Sequence, residues 1–409
     1  MMLIIAIPFG RCEHEDGKSP KDRKAMWTVP ADQAKPIFTP LLELRYRIER
    51  RIDRDFNSEK KDNRNDSLLR VRPGMEVKFN PKVTGRAVFQ YLDNRSSLDV
   101  GIGSVKDNYD LLEGNVVFVN QKDKWTLGRQ KVDLMDQRLL GALEWSNSAR
   151  SWDGLRFQRD KWDVFAGRLA VNPVPNAEAK LAFASYQEPN GQSTLIFKKD
   201  DRPEQSTEVF TFAQQFKGTA ASCKWSALGA IQFGKSGGKD LAAYAISARA
   251  TRSLSKTTDG YVEVDIASGG GSGSKTRTFD NLYPTNHPYY GIMDMQGLRN
   301  MIGLSAALEH RCTPKLSVKF EAHHFWLYDG TDGWYNAAGA LNPGFVDAKG
   351  GRGTDLGTEL DFSGIYSFSP KQQLSAGVGV FIPGQFVKSF AAGHSRNQVW
   401  AYIMALWKL

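Results

Sequence analysis

Residues 41–53 read LLELRYRIERRID, with Leu42, Leu44, Tyr46 and Ile48 in one register and Glu43, Arg45, Arg47, Glu49, Arg51 and Asp53 in the other. Successive side chains of a β-strand point to opposite faces, so this period of two describes a strand with one apolar face and one rich in arginine. The pattern recurs. Leu69, Val71, Pro73, Met75, Val77 and Phe79 oppose Arg70, Arg72, Glu76 and Lys78; then Val83, Ala87, Phe89 and Tyr91 oppose Arg86 and Gln90. Alternation alone fits two architectures, a soluble sandwich whose charged face meets water and a barrel whose charged face lines a lumen.

The connections separate the two. Asn80-Pro81-Lys82, Thr313-Pro314-Lys315 and Ser369-Pro370-Lys371 each join two strand-like runs through a tight turn with a preset proline φ. Between them lie longer polar stretches at 54–66, 94–108, 267–274 (ASGGGSGS for the last) and 329–354. Short turns alternating with long loops is the pattern of an outer-membrane barrel. Further period-two runs between residues 110 and 409 bring the strands to about eighteen, and no stretch holds a helical period against them. The reading is all-β: a single transmembrane antiparallel barrel over 41–409. Residues 1–40 form an N-terminal segment whose apolar run, Leu3 to Phe9, reads as an incomplete signal peptide and a periplasmic lead-in.

Composition narrows the function. With 54 Lys plus Arg against 45 Asp plus Glu, the formal charge of the 409 residues is +9, which favours acidic partners. The basic residues are spread along many strands rather than gathered on one helix or patch, so nucleic acid is not the expected partner. Cys12, Cys223 and Cys312 are an odd number without a CxxC spacing, so neither a disulfide framework nor a zinc site is indicated. His323 and His324 are adjacent on a strand and point to opposite faces, so they do not share a metal. No GxSxG, P-loop or HExxH occurs. Neither an enzyme nor a cofactor is expected.

Longer blocks of residues carry a family resemblance. Gly128-Arg129-Gln130, Asp136-Gln137-Arg138-Leu139-Leu140-Gly141, Glu144-Trp145-Ser146-Asn147 and Arg150-Ser151-Trp152-Asp153-Gly154 follow one another in the order and spacing of the bacterial alginate-export family of outer-membrane barrels. FDNLYPTNHPYYGIMDMQGLRN, residues 279–300, and GTELDF, residues 357–362, are similar to the same family. The resemblance implies an eighteen-stranded barrel in the outer membrane of a Gram-negative bacterium, with an arginine-rich pore that exports an anionic polysaccharide such as alginate. Its expected partners are that polymer or another anionic solute, outer-membrane lipid, and periplasmic and inner-membrane export components. A general anion or oligosaccharide porin is the alternative, and a soluble carbohydrate-binding β protein a third.

The candidate pore residues follow from the cost of placing arginine in lipid, about 2–4 kcal/mol at the midplane, which turns the charged strand faces toward the lumen. Arg45, Arg47, Arg70, Arg72, Arg129, Arg138, Arg150, Asp153, Arg156 and Arg299 are the expected lining, and Leu42, Leu44, Tyr46, Ile48, Val71, Val77 and Phe79 the expected lipid face. Guanidinium groups bind carboxylates through paired hydrogen bonds. Arg129, Arg150 and Arg156 read alternatively as wall ion pairs, although as a set the arginines are better explained by anion passage, and Asn281, Tyr283, Asn286, His287 and Tyr289 read equally as sugar contacts or loop packing.

Overall fold

A computed structural model describes residues 35–59, 62–98, 101–173, 179–201 and 206–409. Most of the N-terminal segment, with Cys12 and His14, lies outside the described residues. The barrel strands, numbered in chain order, are β1 Ile37–Ile52, β2 Arg64–Asn80, β3 Val83–Leu98, β4 Gly101–Asn120, β5 Asp123–Gln130 and β6 Ser151–Arg159. They continue as β7 Trp162–Val171, β8 Ala179–Glu188, β9 Gly191–Asp200, β10 Thr207–Ala220, β11 Cys223–Ser236 and β12 Lys239–Ser253. The last six are β13 Thr258–Ala267, β14 Met301–Arg311, β15 Leu316–Leu327, β16 Asp355–Ser369, β17 Gln372–Pro383 and β18 Gln398–Lys408.

Each strand pairs antiparallel with the next, and β1 pairs with β18 from Glu43↔Lys408 to Ile52↔Val399, so the sheet closes and leaves no edge. Two small hairpins, Gly271–Ser272 with Lys275–Thr276 and Gly333–Tyr335 with Leu341–Val346, decorate the loops. Among the described residues no helix is long and apolar enough to cross a membrane; the one helix, Gln385–Lys388, lies in a loop.

The turns sort as the sequence predicts. One end carries connections of two to four residues, while the other carries residues 53–63, 131–150, 268–300, 328–354 and 384–397. All three X-Pro-Lys turns share one device: the side-chain oxygens of Asn80, Thr313 and Ser369 accept the N–H of Lys82, Lys315 and Lys371 at 2.9, 3.2 and 3.2 Å. One stretch differs. Residues 94–108, expected as a loop, are the paired ends of β3 and β4, in register from Asn94↔Lys106 to Leu98↔Gly101. Polar side chains there misled the reading, because a strand that runs beyond the lipid needs no apolar face.

Leu44, Tyr46, Ile48 and Phe79 are exposed on the outer surface, while Arg45, Arg47, Arg70 and Arg72 on the opposite face are at most 5% exposed. The inner face is not polar throughout. Phe165, Leu169, Leu181, Phe183, Ile196, Val209, Leu228 and Leu241 are buried on the lumen side of β7–β12, against Val132, Leu140, Phe279, Tyr290 and Met293 of the long loops. Each such side chain contributes about 1.5–3 kcal/mol by leaving water, so the hydrophobic core sits inside the barrel and fixes the loops there.

Ile231, 56% exposed on the outer face of β11, tests the assignment of faces. Ile231→Arg is expected to destabilise the barrel by about 2–4 kcal/mol, and Ile231→Leu by less than about 1.5, in equilibrium urea unfolding from lipid vesicles. A neutral arginine variant would mean that lipid does not contact this face.

Candidate functional site

The loop of residues 131–150 enters the lumen, where its polar backbone must be hydrogen-bonded. Strands β1 and β2 supply the donors. Arg45 donates to the carbonyls of Glu144 and Ser146 at 2.8 Å each and to Asn147 Oδ1 at 3.0 Å. Arg70 donates to the same two carbonyls at 3.0 Å each, and Arg47 donates to the Trp145 carbonyl at 2.8 Å with its guanidinium 4.1 Å from the Trp145 ring centre. Three residues of wall thus grip one turn of loop.

The Glu144 carboxylate completes the joint, accepting from Arg72 at 2.6 Å and from Lys131 at 2.8 Å. Burial alone would raise its pKa, but the charges of Arg72, Lys131 and Arg70 outweigh that and hold it well below the usual carboxylate range.

The loop of residues 268–300 meets the first inside the barrel. Gly141 N–H donates to the Tyr283 carbonyl at 2.9 Å, Tyr283 N–H to Leu139 at 3.0 Å and Thr285 N–H to Gln137 at 2.9 Å, so the two loops are laced together strand-fashion. Arg150 caps this seam, donating to the carbonyls of Gly141 at 2.9 Å, Pro284 at 3.2 Å and Tyr283, and to Asn172 Oδ1 at 2.9 Å. Arg138 joins loop to wall, with Asp136 at 3.0 Å, Glu263 at 2.6 Å, Asp265 at 3.1 Å and the Tyr290 hydroxyl at 3.0 Å. Lys198 on β9 holds Asp280 at 2.7 Å; burial would raise this carboxyl, and Lys198 and Arg299 bring it below its ordinary value. Gly291 has φ +84°, and a Cβ there would strike the Glu359 carboxylate, so only glycine allows the loop this close to the wall.

The expected loop contacts are largely spent on this packing. Asn281, Tyr283 and Asn286 are buried, with Asn286 donating to the Ala337 carbonyl at 2.8 Å. His287 stacks on Trp145 with ring centres 3.8 Å apart, and its Nδ1 lies 3.0 Å from Asp294 Oδ1. Tyr289 donates to the Asp136 carbonyl and lies beneath the Arg138 guanidinium at 3.8 Å. Arg299 stays within the loops, donating to the Gly339 carbonyl at 3.2 Å over the Tyr335 ring.

Two expected lining residues face the other way. Arg129 and Asp153 pair with each other in register on the face of Leu127 and Leu155, which are 57% and 44% exposed on the outside of the barrel. The cost of an outward arginine is offset by a bidentate pair, Nε to Oδ1 at 2.7 Å and Nη2 to Oδ2 at 3.0 Å, with Asp110 at 3.1 Å. Arg156 does face inward but is matched by Asp163 at 2.5 Å.

Of the cations that remain open, Lys124, Lys217 and Lys224 were not named from the sequence, and Lys78 was placed on the charged face of its strand but not in the expected lining. Below the loops, a cavity of about 590 Å³ is lined by Lys217, Lys224, Arg249, Arg138 and Tyr289, with Asp136 the only acid among its lining residues. Register places Lys217 and Lys224 on the inner face of β10 and β11, beside Ser226 and Thr251. Lys78 and Lys124 occupy inner positions across the lumen near the same short-turn end. Among the described residues none of these four lysines has an ion-pair partner. Continuing the inward register toward each short turn would have found them; attention to arginine did not.

A sequence profile of a family described as alginate export matches residues 41–402. No curated protein matches. Among solved structures, the Pseudomonas aeruginosa outer-membrane protein OprD is similar in fold, with TM-score 0.61 and 13% identity over 93% of this chain and 95% of that one. P. aeruginosa OccK5 (OpdH) gives 0.61 and 9% over 91% and 98%, and P. aeruginosa OccK2 (OpdF), solved in complex with glucuronate, gives 0.57 and 11% over 91% and 98%.

Removing donors from β1 and β2 should free the loop. Arg45→Ala with Arg70→Ala leaves the Glu144 and Ser146 carbonyls unpaired inside the barrel, and single-channel conductance in planar bilayers is expected to rise and become noisy; an unchanged trace would mean that the loop does not depend on them. The pH dependence has a defined sign. Glu144 is depressed in the folded protein, so its contribution is complete above the ordinary carboxyl value of about 4.3 and is lost as pH falls toward the folded value. Conductance should be flat from about pH 8 to 5 and change only below.

Proposed function

The chain belongs to the alginate export family, and on that premise we propose that it is an anion-selective pore that passes an acidic polysaccharide out of the periplasm. Barrels of this family reside in the outer membrane of Gram-negative bacteria, with the short turns in the periplasm and the long loops outside. They are transport channels and perform no chemistry of their own.

The observation that carries the proposal is the charge left unpaired. Lys78, Lys124, Lys217 and Lys224 surround the periplasmic end of the lumen without acid partners among the described residues, and the cavity above Lys217 and Lys224 is also lined by Arg249, which Glu263 neutralises. Fixed cations around an aqueous path raise the local anion concentration there. Lysine suits an entry region, because a hydrated ammonium on a flexible stem holds a carboxylate loosely and releases it. A polyuronate then advances by exchanging partners among weak sites. Arg138 and Arg249 line the same cavity with Tyr289, their charges largely met by Asp136, Glu263 and Asp265. Direction would come from periplasmic and inner-membrane partners, since a pore alone supplies none.

A second reading, a diffusion pore for small acidic sugars, is favoured by the lacing of the two inward loops across the lumen, which narrows the path. Bilayer recordings in a salt gradient distinguish the readings. The wild type is expected to give an anion-selective reversal potential and to be blocked by polyuronate. Lys78→Glu, Lys124→Glu, Lys217→Glu and Lys224→Glu together should reverse the selectivity, whereas each alone acts weakly because charges more than about 8 Å apart are screened at physiological salt. Cation selectivity in the wild type would overturn the anion reading, and block by monomeric uronate but not by polymer would favour the second.

A further inference from the structure

On the inner wall of β15 and β16, Glu321, His323 and Asp361 are buried to 5, 2 and 1% exposure, and Glu321 and Asp361 are partners in register. We propose that they form a binding site for a divalent transition-metal cation of the zinc class.

Distances carry the first part of the argument. His323 Nε2 lies 3.9 Å from Glu321 Oε1 and 3.8 Å from Asp361 Oδ2, too far for hydrogen bonds. Ligands about 2.1 Å from a tetrahedral zinc are about 3.4 Å from one another, so a shared ion needs His323 and each carboxylate to close by about half an ångström or less. One ligand atom from each of the three residues already lies within 4.8 Å of the others.

Unmet hydrogen bonding is the second, independent observation. Both ring nitrogens of His323 and Asp361 Oδ1 have no partner among the described residues, nor has Glu359 Oε2 two positions along β16. A buried imidazole with neither nitrogen satisfied is costly and uncommon. The other oxygens are occupied: Glu321 Oε1 accepts from the Tyr261 hydroxyl at 2.7 Å and from Lys319 at 2.7 Å, and Asp361 Oδ2 accepts from Ile292 N–H at 3.2 Å. A turn of each carboxylate about its terminal C–C bond would present Glu321 Oε2 and Asp361 Oδ1 to an ion shared with the unpartnered His323 Nε2.

Charge gives the third. Glu321 and Asp361 lie in register on this wall, with Glu359 two positions from Asp361 along the same strand, so three carboxyl groups gather around one imidazole and a divalent ion would offset their mutual repulsion. One imidazole with two carboxylates suits zinc better than calcium or magnesium, which prefer oxygen ligands alone. Asp361 and Glu359 also accept from the N–H groups of Ile292 and Met293 in the inward loop, so an ion here would tie that loop to the wall. The site is independent of what the pore carries.

The test is metal binding by the intact barrel, purified in detergent and stripped with a chelator, with Co²⁺ as the spectroscopic stand-in for Zn²⁺. The expected result is one equivalent of cobalt with four-coordinate ligand-field bands, displaced by zinc and not by calcium. His323→Ala and the volume-conserving His323→Gln, each confirmed as folded by heat-modifiable migration, should weaken binding beyond the roughly 10–100-fold that loss of an outer-shell partner costs. His324→Ala should leave it unchanged, because His324 faces outward and bonds Thr358 Oγ1 at 2.8 Å. Wild type that takes up no cobalt, or binding that survives in both His323 variants, overturns the proposal.

Discussion

Lipid offers a peptide group no hydrogen bond, so every strand within the membrane needs a neighbour on both sides, and the pairing of β1 with β18 is the contact on which the rest depends. Once the sheet closes, each strand has an outside and an inside. Leu44, Tyr46 and Ile48 then take the outside, and Arg45 and Arg47 are carried inward by the same alternation. The grip on the loop of residues 131–150 is a consequence of that closure, because residues of β1 and β2 reach one turn of loop only when the two strands are adjacent and share a register.

Inside the barrel, arginine serves chiefly as a holder of backbone. A loop that leaves water brings carbonyl groups that must be satisfied, and a guanidinium with five donors in a fixed plane can satisfy two or three at once. Arg45, Arg70 and Arg150 each do so. Lysine, with a compact and strongly hydrated head, would grip the same groups less well. The division of labour follows: these arginines hold the inward loops, and among the described residues Lys78, Lys124, Lys217 and Lys224 near the short-turn end have no ion-pair partner.

Neutralisation also explains why composition overstates the charge of the pore. Arg156 with Asp163, Arg72 with Glu144 and Arg138 with Glu263 and Asp265 face inward yet present little net field. The excess of nine positive charges in the whole chain is therefore felt at the few positions where no acid lies opposite. Those positions are properties of register and of loop placement together.

The sequence by itself determined the barrel. Period-two alternation, three X-Pro-Lys turns and long loops between them are local or nearest-neighbour features, and they placed Arg45, Arg47, Arg70 and Arg72 on the lumen side and Leu44, Tyr46 and Ile48 outside. It did not determine which charges stay open. Arg129 and Asp153 are turned outward by a strand register that no short window of sequence contains, and the apolar inner faces of β7–β9 are covered by loops distant in sequence. Pairing across such distances, as between Arg138 and Glu263 or Arg150 and the Tyr283 carbonyl, exists only once the barrel has closed around the loops. Only the tertiary structure decided which cations are paired within the fold and which are left without an acid opposite.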